Sequence, residues 1–272
     1  MSVIVIGAGL AGLSAARELS RGGRDVVVLE GRERVGGRLE GGTIDGHPVE
    51  LGGTWLGQGH EQMYALVREL GLTTHRTYND DGQLLVDLLG RQSRMAAHKG
   101  AVPKFNPIAL ADLAQGLLRF GRLAKRISVD HPWDSPGAEL LDGQTFETWI
   151  RRNLRTPGGR AYFRIATEAV FAADSTDLSL LHALFYTAAN ADLETLLAVD
   201  QGAQQDRVVG GSHLIAEKLA DGLDVRLNRA VRGIRQDSSG VVVSTRTGEA
   251  FSGSDVIVAI PPVLAGRIDH DP

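Results

Sequence analysis

Cysteine is absent from the 272 residues, which excludes disulfides and thiolate metal sites. Lysine is scarce, confined to Lys99, Lys104, Lys125 and Lys218. No apolar run reaches the roughly 18 residues that a membrane-spanning helix needs. Neither sign of charge dominates: 29 Lys and Arg against 33 Asp and Glu leave a net charge of −4, and the basic residues form no aromatic-interleaved stripe, so nothing drives the chain towards nucleic acid. The eight histidines show neither H-x-x-x-H nor H-E-x-x-H spacing, and no metal site is expected. The first apolar run begins at residue 3, leaving no room for the charged and apolar regions of a secretory leader. The expected location is the cytoplasm.

What the chain does have is glycine in clusters. Gly7, Gly9 and Gly12 form G-x-G-x-x-G directly after the apolar run Val3-Ile4-Val5-Ile6. A continuous apolar run is the pattern of a strand buried on both faces. Ala11 to Leu19 then reads as a helix with small residues towards the sheet. In this motif the first glycine permits a tight turn, the second lets backbone approach a pyrophosphate, and the third allows helix and strand to pack closely. The free N–H groups of the helix start face the phosphates. A second strand, Asp25 to Leu29, ends in Glu30, 18 residues after Gly12, near the spacing of the acid that binds a ribose hydroxyl.

Two further clusters follow. Gly36-Gly37 precedes Arg38, whose guanidinium fork suits phosphate, and Gly52-Gly53 precedes Thr54-Trp55. Three close-approach points suit a long, bent dinucleotide better than a nicotinamide cofactor.

The segment GAGLAGLSAARELSRGGRDVVVLEGRERVGGRLE resembles the amino-terminal signature of the flavin-containing amine oxidases, the monoamine and polyamine oxidase group. The resemblance continues at Val49 to Leu56, at Val208-Val209-Gly210-Gly211-Ser212-His213-Leu214 and at Val258-Ala259-Ile260-Pro261-Pro262, in family order. It implies FAD, held by Gly7, Gly9, Leu10, Ala11 and Gly12 at the pyrophosphate and by Glu30, with Arg32 beside it, at the adenosine ribose. Gly36, Gly37 and Arg38 would meet the phosphate and ribityl region. Gly53, Thr54 and Trp55 would lie near the flavin ring, and Val231 would pair its backbone with adenine. With no cysteine, FAD is expected to be non-covalent to this chain. Arg34 is expected to be a solvated loop residue.

The expected fold is α/β: a Rossmann-like, glutathione-reductase-like FAD-binding domain interrupted by a mainly helical substrate domain and incomplete at its carboxy terminus. Residues 1–78 form its first part and residues 206–272 its resumption. Between them, residues 79–205 form the helical domain. Turn signals stand at Asn79-Asp80-Asp81-Gly82, Pro103 and Asn106-Pro107. Helices are expected at Glu61 to Leu70, from residue 108 through Leu110, Leu113, Ala114, Leu117, Gly121 and Ala124, and at Thr145 to Leu154, Arg160 to Ala172, Leu178 to Asn190 and Ser212 to Ala220. Strand runs fall at Asp224 to Ile234, Val241 to Thr247 and Asp255 to Ile260. By position, Val170, Phe171, Leu196, Leu197 and Gln204 would line the substrate cavity, although apolar residues at helical spacing are equally core. Glu168 and Asp174 are candidate amine anchors that read more simply as solvated helix residues.

The resemblance covers only the amino-terminal portion of the family pattern. The remainder would carry the lysine that contacts flavin N5 through a water, the aromatic pair facing the ring and a second glycine-rich segment. None of the four lysines lies in a matching motif, so no catalytic residue is assigned. Three arrangements fit: a split enzyme with a companion polypeptide, a fragment, or a reduced protein that binds FAD or ADP as a structural or regulatory subunit. The companion is expected, because exposed sheet edges and apolar surface invite association, across an interface above roughly 2,000 Å². The expected reaction is oxidation of an amine C–N bond, with hydride passing to flavin N5 and oxygen leaving as peroxide.

Overall fold

A computed structural model describes residues 2–78, 83–88, 90–96, 105–190 and 192–271. The expected turns at Asn79 to Gly82 and at Pro103 lie outside the described residues. From the amino terminus the elements are β1 (Val3–Ile6), α1 (Leu10–Arg21), β2 (Val26–Leu29), β3 (Gly41–Ile44), β4 (His47–Glu50), β5 (Trp55–Leu56), α2 (Glu61–Glu69) and β6 (Thr74–Arg76). Next come β7 (Gln83–Leu88), β8 (Arg91–Ala96), α3 (Pro107–Ala124), α4 (Ala138–Asp142), α5 (Phe146–Asn153), α6 (Pro157–Phe171), α7 (Leu180–Ala189) and α8 (Leu193–Leu197). The chain continues through β9 (Asp206–Val208), α9 (His213–Ala220), β10 (Asp224–Arg226), β11 (Val231–Asp237), β12 (Gly240–Thr245), β13 (Ala250–Gly253), β14 (Asp255–Val258), α10 (Pro262–Ala265) and β15 (Asp269–Asp271).

These elements form two compact units. One comprises Met1–Trp55, Gln62–His75 and Arg207–Pro272, and the other Leu56–Glu61 and Arg76–Asp206. In the first, four parallel strands stand in the order β10-β2-β1-β14. The central strand β1 is buried along its whole length, as its unbroken apolar run requires. A second sheet, β13-β12-β11-β15, packs Ile234, Val241 and Val243 with Ile4, Ile6, Leu29 and Ile268 into one core.

Three local readings of the sequence are corrected. The β-branched run Asp224 to Ile234 is not one strand: β10 joins the parallel sheet and β11 the antiparallel one. The break has a cause. Asn228 takes a left-handed conformation (φ 57°), and the N–H groups of Asn228 and Arg229 donate to Arg32 O and Glu30 O, bending the chain away from β2. Within the region read as turns and helices, β7 and β8 pair as an antiparallel hairpin. The signal at Asn106-Pro107 is a helix start rather than a turn, since Asn106 Oδ1 accepts from Ala109 N at 2.9 Å and Pro107 occupies the first helical position.

In the second unit α3, α5, α6 and α7 enclose a ring-rich core. Phe120 stacks on Phe146 with centroids 5.0 Å apart, and Phe163 meets Phe120 edge-on at 5.9 Å. Thr145, Thr156, Ser179 and Asp192 cap α5, α6, α7 and α8 with their side chains. Two buried carboxylates tie the helices together. Asp112 accepts from Arg155 N, Thr156 N and Thr156 Oγ1 at 2.9, 2.7 and 2.7 Å, fixing the α5–α6 joint against α3. Glu147 accepts from Arg151 Nε at 2.6 Å, Arg164 Nε at 3.0 Å and Ser175 Oγ at 2.8 Å. The Arg164 hydrogen bond, against the opposing effect of burial and with help from Arg151 and Ser175, holds the Glu147 carboxyl at about 2.

Because that value lies below the ordinary 4.5, Glu147 stabilises the fold above pH 4.5 and loses this contribution as pH falls towards 2. Glu147→Ala is expected to cost about 3 kcal/mol and to flatten the acid limb of stability in this range. Urea unfolding followed by tryptophan fluorescence at pH 7 and pH 3 measures both effects.

Candidate functional site

The site begins where β1 ends. Gly7 sits at φ +104°, where a Cβ would lie 2.7 Å from Ile260 Cγ2 and 2.9 Å from Ala259 O. A Cβ on Gly12 would lie 1.9 Å from Gly7 O, so the first turn of α1 rests directly on the strand. Gly9 differs: among the described residues, and apart from its chain neighbours, the only heavy atom within 4 Å of its Cβ position is Gly37 Cα, at 3.9 Å. Its surroundings are otherwise open. Gly9 is also the N-cap of α1, has no side chain to cap it, and no acidic residue lies in the first turn. The amides of Leu10, Ala11 and Gly12 therefore begin a helix whose positive end has no side-chain cap and no acid in its own first turn.

The second glycine cluster packs onto the first. Gly36 N donates to Ala8 O at 2.8 Å, and Gly9 bridges Gly36 as a parallel pair. Arg34 holds this turn from behind, donating to Val35 O and Leu39 O at 3.1 Å and to Gly37 O at 3.2 Å, and pairing with Glu40. It is thus a half-buried brace, not the solvated loop residue expected. Arg38, in contrast, is exposed and makes no ion pair among the described residues.

At the end of β2, Glu30 is fixed from both sides: Oε2 accepts from Ala8 N at 2.8 Å and Oε1 from Arg32 N at 2.9 Å. Each oxygen keeps lone-pair capacity for another donor. Glu30 lies on the wall of a cleft of about 220 Å³, together with Gly7, Gly31, Arg32, Val231 and Ile260. Arg32 Nη1 is committed to Gly37 O at 3.1 Å. Arg229, Arg246 and Arg267 also line the cleft and were missed in the sequence. No local pattern marks them, because they come from three separate turns around the second sheet. Arg229 is held by Glu249, with Nε and Oε2 2.5 Å apart.

The third cluster lies on the loop after β4. Thr54 Oγ1 donates to Gly52 O at 3.0 Å and Gly53 N donates to Arg38 O at 3.0 Å. Leu51 is 63%, Trp55 48% and Val209 49% exposed. The expected substrate-lining residues belong to the second unit. Leu196 is buried in its core, while Val170, Phe171 and Leu197 pack half-buried at the margin of that core. Phe171 meets Tyr186 edge-on with centroids 5.1 Å apart. Gln204 is half-buried and its N–H donates to Ala198 O. Glu168 is exposed, and Asp174 is exposed and occupied by Thr176. No helix among the described residues is long and apolar enough to cross a membrane.

A glycine turn closed on a parallel sheet, a braced acid at the end of the second strand and a cleft beside it define a dinucleotide-binding unit. The family model described as flavin containing amine oxidoreductase matches residues 10–272. The chain belongs to this family of oxidoreductases. A protein of Mycobacterium tuberculosis named as the flavin-containing monoamine oxidase AofH is 40% identical over 274 residues, covering all of this chain and 59% of the relative. Amine oxidase [flavin-containing] B of Rattus norvegicus is 32% identical over 276 residues, covering 99% of this chain and 52% of that protein. Among solved structures, wild-type putrescine oxidase bound to putrescine superposes with a TM-score of 0.88 at 30% identity, covering 100% of this chain and 60% of that one. Cyclohexylamine oxidase from Brevibacterium oxydans superposes with a TM-score of 0.90 at 26% identity, covering 99% and 60%. The chain thus spans between half and three fifths of the length of the relatives it matches.

The family's cofactor is FAD, and the residues present fit it. The open side of Gly9, the uncapped start of α1, the uncommitted Arg38 and the acceptor capacity of Glu30 are what a dinucleotide with a pyrophosphate and a ribose diol requires. The second and third glycines of the motif make opposite predictions. Gly12→Ala is expected to cost roughly 3 kcal/mol or more, because the methyl overlaps Gly7 O. Gly9→Ala is expected to leave thermal stability nearly unchanged yet weaken FAD binding about tenfold or more, since its methyl occupies the open approach. Differential scanning fluorimetry and flavin titration of the two variants separate these effects.

Proposed function

We propose that this chain forms the FAD-holding portion of an amine oxidase that oxidises the C–N bond of a small amine. FAD, when bound, would supply the two-electron acceptor for the hydride lost from the carbon beside the nitrogen, with oxygen as the final oxidant and peroxide as its product. The observation that carries the reading is Glu30. Its carboxylate is held rigid by two backbone N–H groups at the wall of the cleft, one from the glycine turn itself.

Each residue then has a task. Glu30 accepts the ribose hydroxyls, with Arg32 beside it, and Val231 offers backbone to the adenine edge. The amides of Leu10 and Ala11 with Gly7, Gly9 and Gly12, together with Gly36, Gly37 and Arg38, hold the pyrophosphate and ribityl region. Gly53, Thr54 and Trp55 face the flavin ring, where exposed apolar surface from Leu51, Trp55 and Val209 suits a flat heterocycle. In the second unit Val170, Phe171, Leu197 and Gln204 contact the substrate, and Leu196 supports them from the core. Apolar walls exclude water and keep the amine neutral, since burial disfavours the ammonium form. The neutral amine is the form that can lose hydride.

The visible absorption spectrum of the desalted chain tests this first. Two flavin bands are expected; a folded but colourless protein would leave the reading without its cofactor. Glu30→Ala is expected to weaken FAD binding by about 10- to 100-fold, the worth of charge-assisted hydrogen bonds to the ribose. Peroxide release with amine and oxygen, once the rest of the enzyme is supplied, tests the reaction itself.

The reading also implies that further protein, the equivalent of the relatives' remaining length, covers one edge of the parallel sheet. The two edges of the parallel sheet support this. On β10, Asp224 and Arg226 are exposed, the polar form that guards an edge. On β14, the opposite edge, Val256 and Ile257 are only half-buried and Val258 is exposed, and Val263 (68% exposed) and Leu264 follow. This is the composition of an inner strand. Light scattering of the chain alone should reveal self-association that a co-expressed carboxy-terminal partner abolishes, whereas a monodisperse monomer at high concentration would count against a companion.

A further inference from the structure

Glu50 and Ser212 stand 162 residues apart, Glu50 directly before the glycine-rich block Leu51-Gly52-Gly53-Thr54-Trp55 and Ser212 at the end of Val209-Gly210-Gly211-Ser212. In the structure they form one network. Glu50 Oε1 accepts from Ser212 N at 2.8 Å, and Glu50 Oε2 lies 3.0 Å from Ser212 Oγ. The same hydroxyl hydrogen-bonds to Gly53 O. Ser212 is 4% exposed, whereas Glu50 is half-buried and Gly53 exposed, so it is the hydroxyl at the centre of the network that is shielded from water and costly to leave unpaired.

Two features show that this arrangement is directed at the Gly53 loop. Ser212 is the N-cap of α9, yet its side chain makes no cap bond to its own helix. A serine there ordinarily turns its oxygen onto the second or third helical N–H. Here the hydroxyl turns away to Gly53, and the carboxylate of Glu50 takes over at the helix start, where negative charge is favoured. The Gly53 peptide is moreover held at both ends, its N–H by Arg38 O and its C=O by Ser212 Oγ. His213 wedges the same region: its ring packs so closely on Gly41 that a Cβ there would lie 2.1 Å from Nδ1.

We propose that Glu50 and Ser212 are positioning residues for the flavin ring. They fuse the two glycine blocks into one rigid wall and present Thr54 and Trp55 at a fixed depth, while neither touches the cofactor. The polar groups of the Gly53 peptide are spent on the protein, so the loop meets the ring through Thr54, Trp55 and the Gly53 Cα. This rests on the reading that the Gly53–Trp55 loop faces the flavin ring.

The test compares FAD with ADP, which fills only the end of the site around Gly9 and Glu30. In the FAD-loaded protein, Ser212→Ala and Glu50→Ala are expected to weaken FAD binding about tenfold each, the worth of a buried hydrogen bond, with ADP affinity unchanged within about twofold. Both should shift the visible flavin bands and raise flavin fluorescence. Glu50→Gln, whose side-chain amide can still accept from Ser212 N and donate to Ser212 Oγ, should restore the wild-type spectrum. Equal losses of FAD and ADP affinity would show a merely structural role and overturn the proposal, as would variants whose FAD affinity and spectrum match wild type. Should Glu50→Ala fail to fold, Ser212→Ala, which removes a single oxygen, decides by the same two affinities. A wild-type protein that binds ADP but takes up no flavin would instead refute the underlying reading of the loop.

Discussion

The first unit depends on two backbone segments meeting at the carboxyl end of β1. The turn through Gly7, Gly9 and Gly12 and the turn through Gly36 and Gly37 touch main chain to main chain, with a Gly37 Cβ position only 3.2 Å from Gly9 Cα. A side chain on Gly37 would press on Gly9 and would have to hold a left-handed backbone (φ +59°), so the glycine there follows from that geometry. Because the turns are fixed to one another through Ala8 O and Gly36 N, and Glu30 is tied to Ala8 N, the amides at the start of α1 and the Glu30 carboxylate keep constant separations. A cofactor that contacts all of them meets a preformed surface, so little binding energy goes into ordering the protein.

The second unit solves a different problem by different means. Its helices are held by packed rings and by two carboxylates, Asp112 and Glu147, each buried and each surrounded by donors. Burial opposes the charge on both. For Asp112 the hydrogen bonds from Thr156, Arg155 and Gln115 outweigh that opposition and keep its carboxyl below the usual range. Such groups hold joints between helices at defined angles, since a half-satisfied charge is far more costly than a misplaced methyl.

How far the sequence could be read followed from what kind of interaction sets each feature. The turn at Gly7, the helix start at Leu10 and the place of Glu30 after β2 were legible because their spacing is imposed by backbone: a turn, a helix start and the next strand of a parallel sheet. The β3–β4 hairpin carried a legible signal that went unread, Asp45-Gly46, both in left-handed conformations at its turn. The split of Asp224 to Ile234 had no such sign, because it is set by hydrogen bonds from Asn228 and Arg229 to Arg32 and Glu30 on a distant segment. Arg34 was misjudged for a related reason, since its partners are carbonyl oxygens that no residue type announces. The cleft arginines Arg229, Arg246 and Arg267 converge only after two sheets have formed.

The pairing of β1 with β14 also governs how the chain must be made. Val3 lies beside Asp255 and Ile6 beside Val258, so the central strand finds one neighbour within 30 residues and the other only some 250 residues later. At ribosomal speeds of about 5–20 residues per second, β1 waits roughly 12–50 s for that second neighbour. During this interval a wholly apolar strand is covered on one edge alone. Synthesis in a cell therefore calls for a chaperone to shelter the nascent amino-terminal segment, or for β2 and α1 to hold it in a provisional half-sheet until β14 leaves the ribosome.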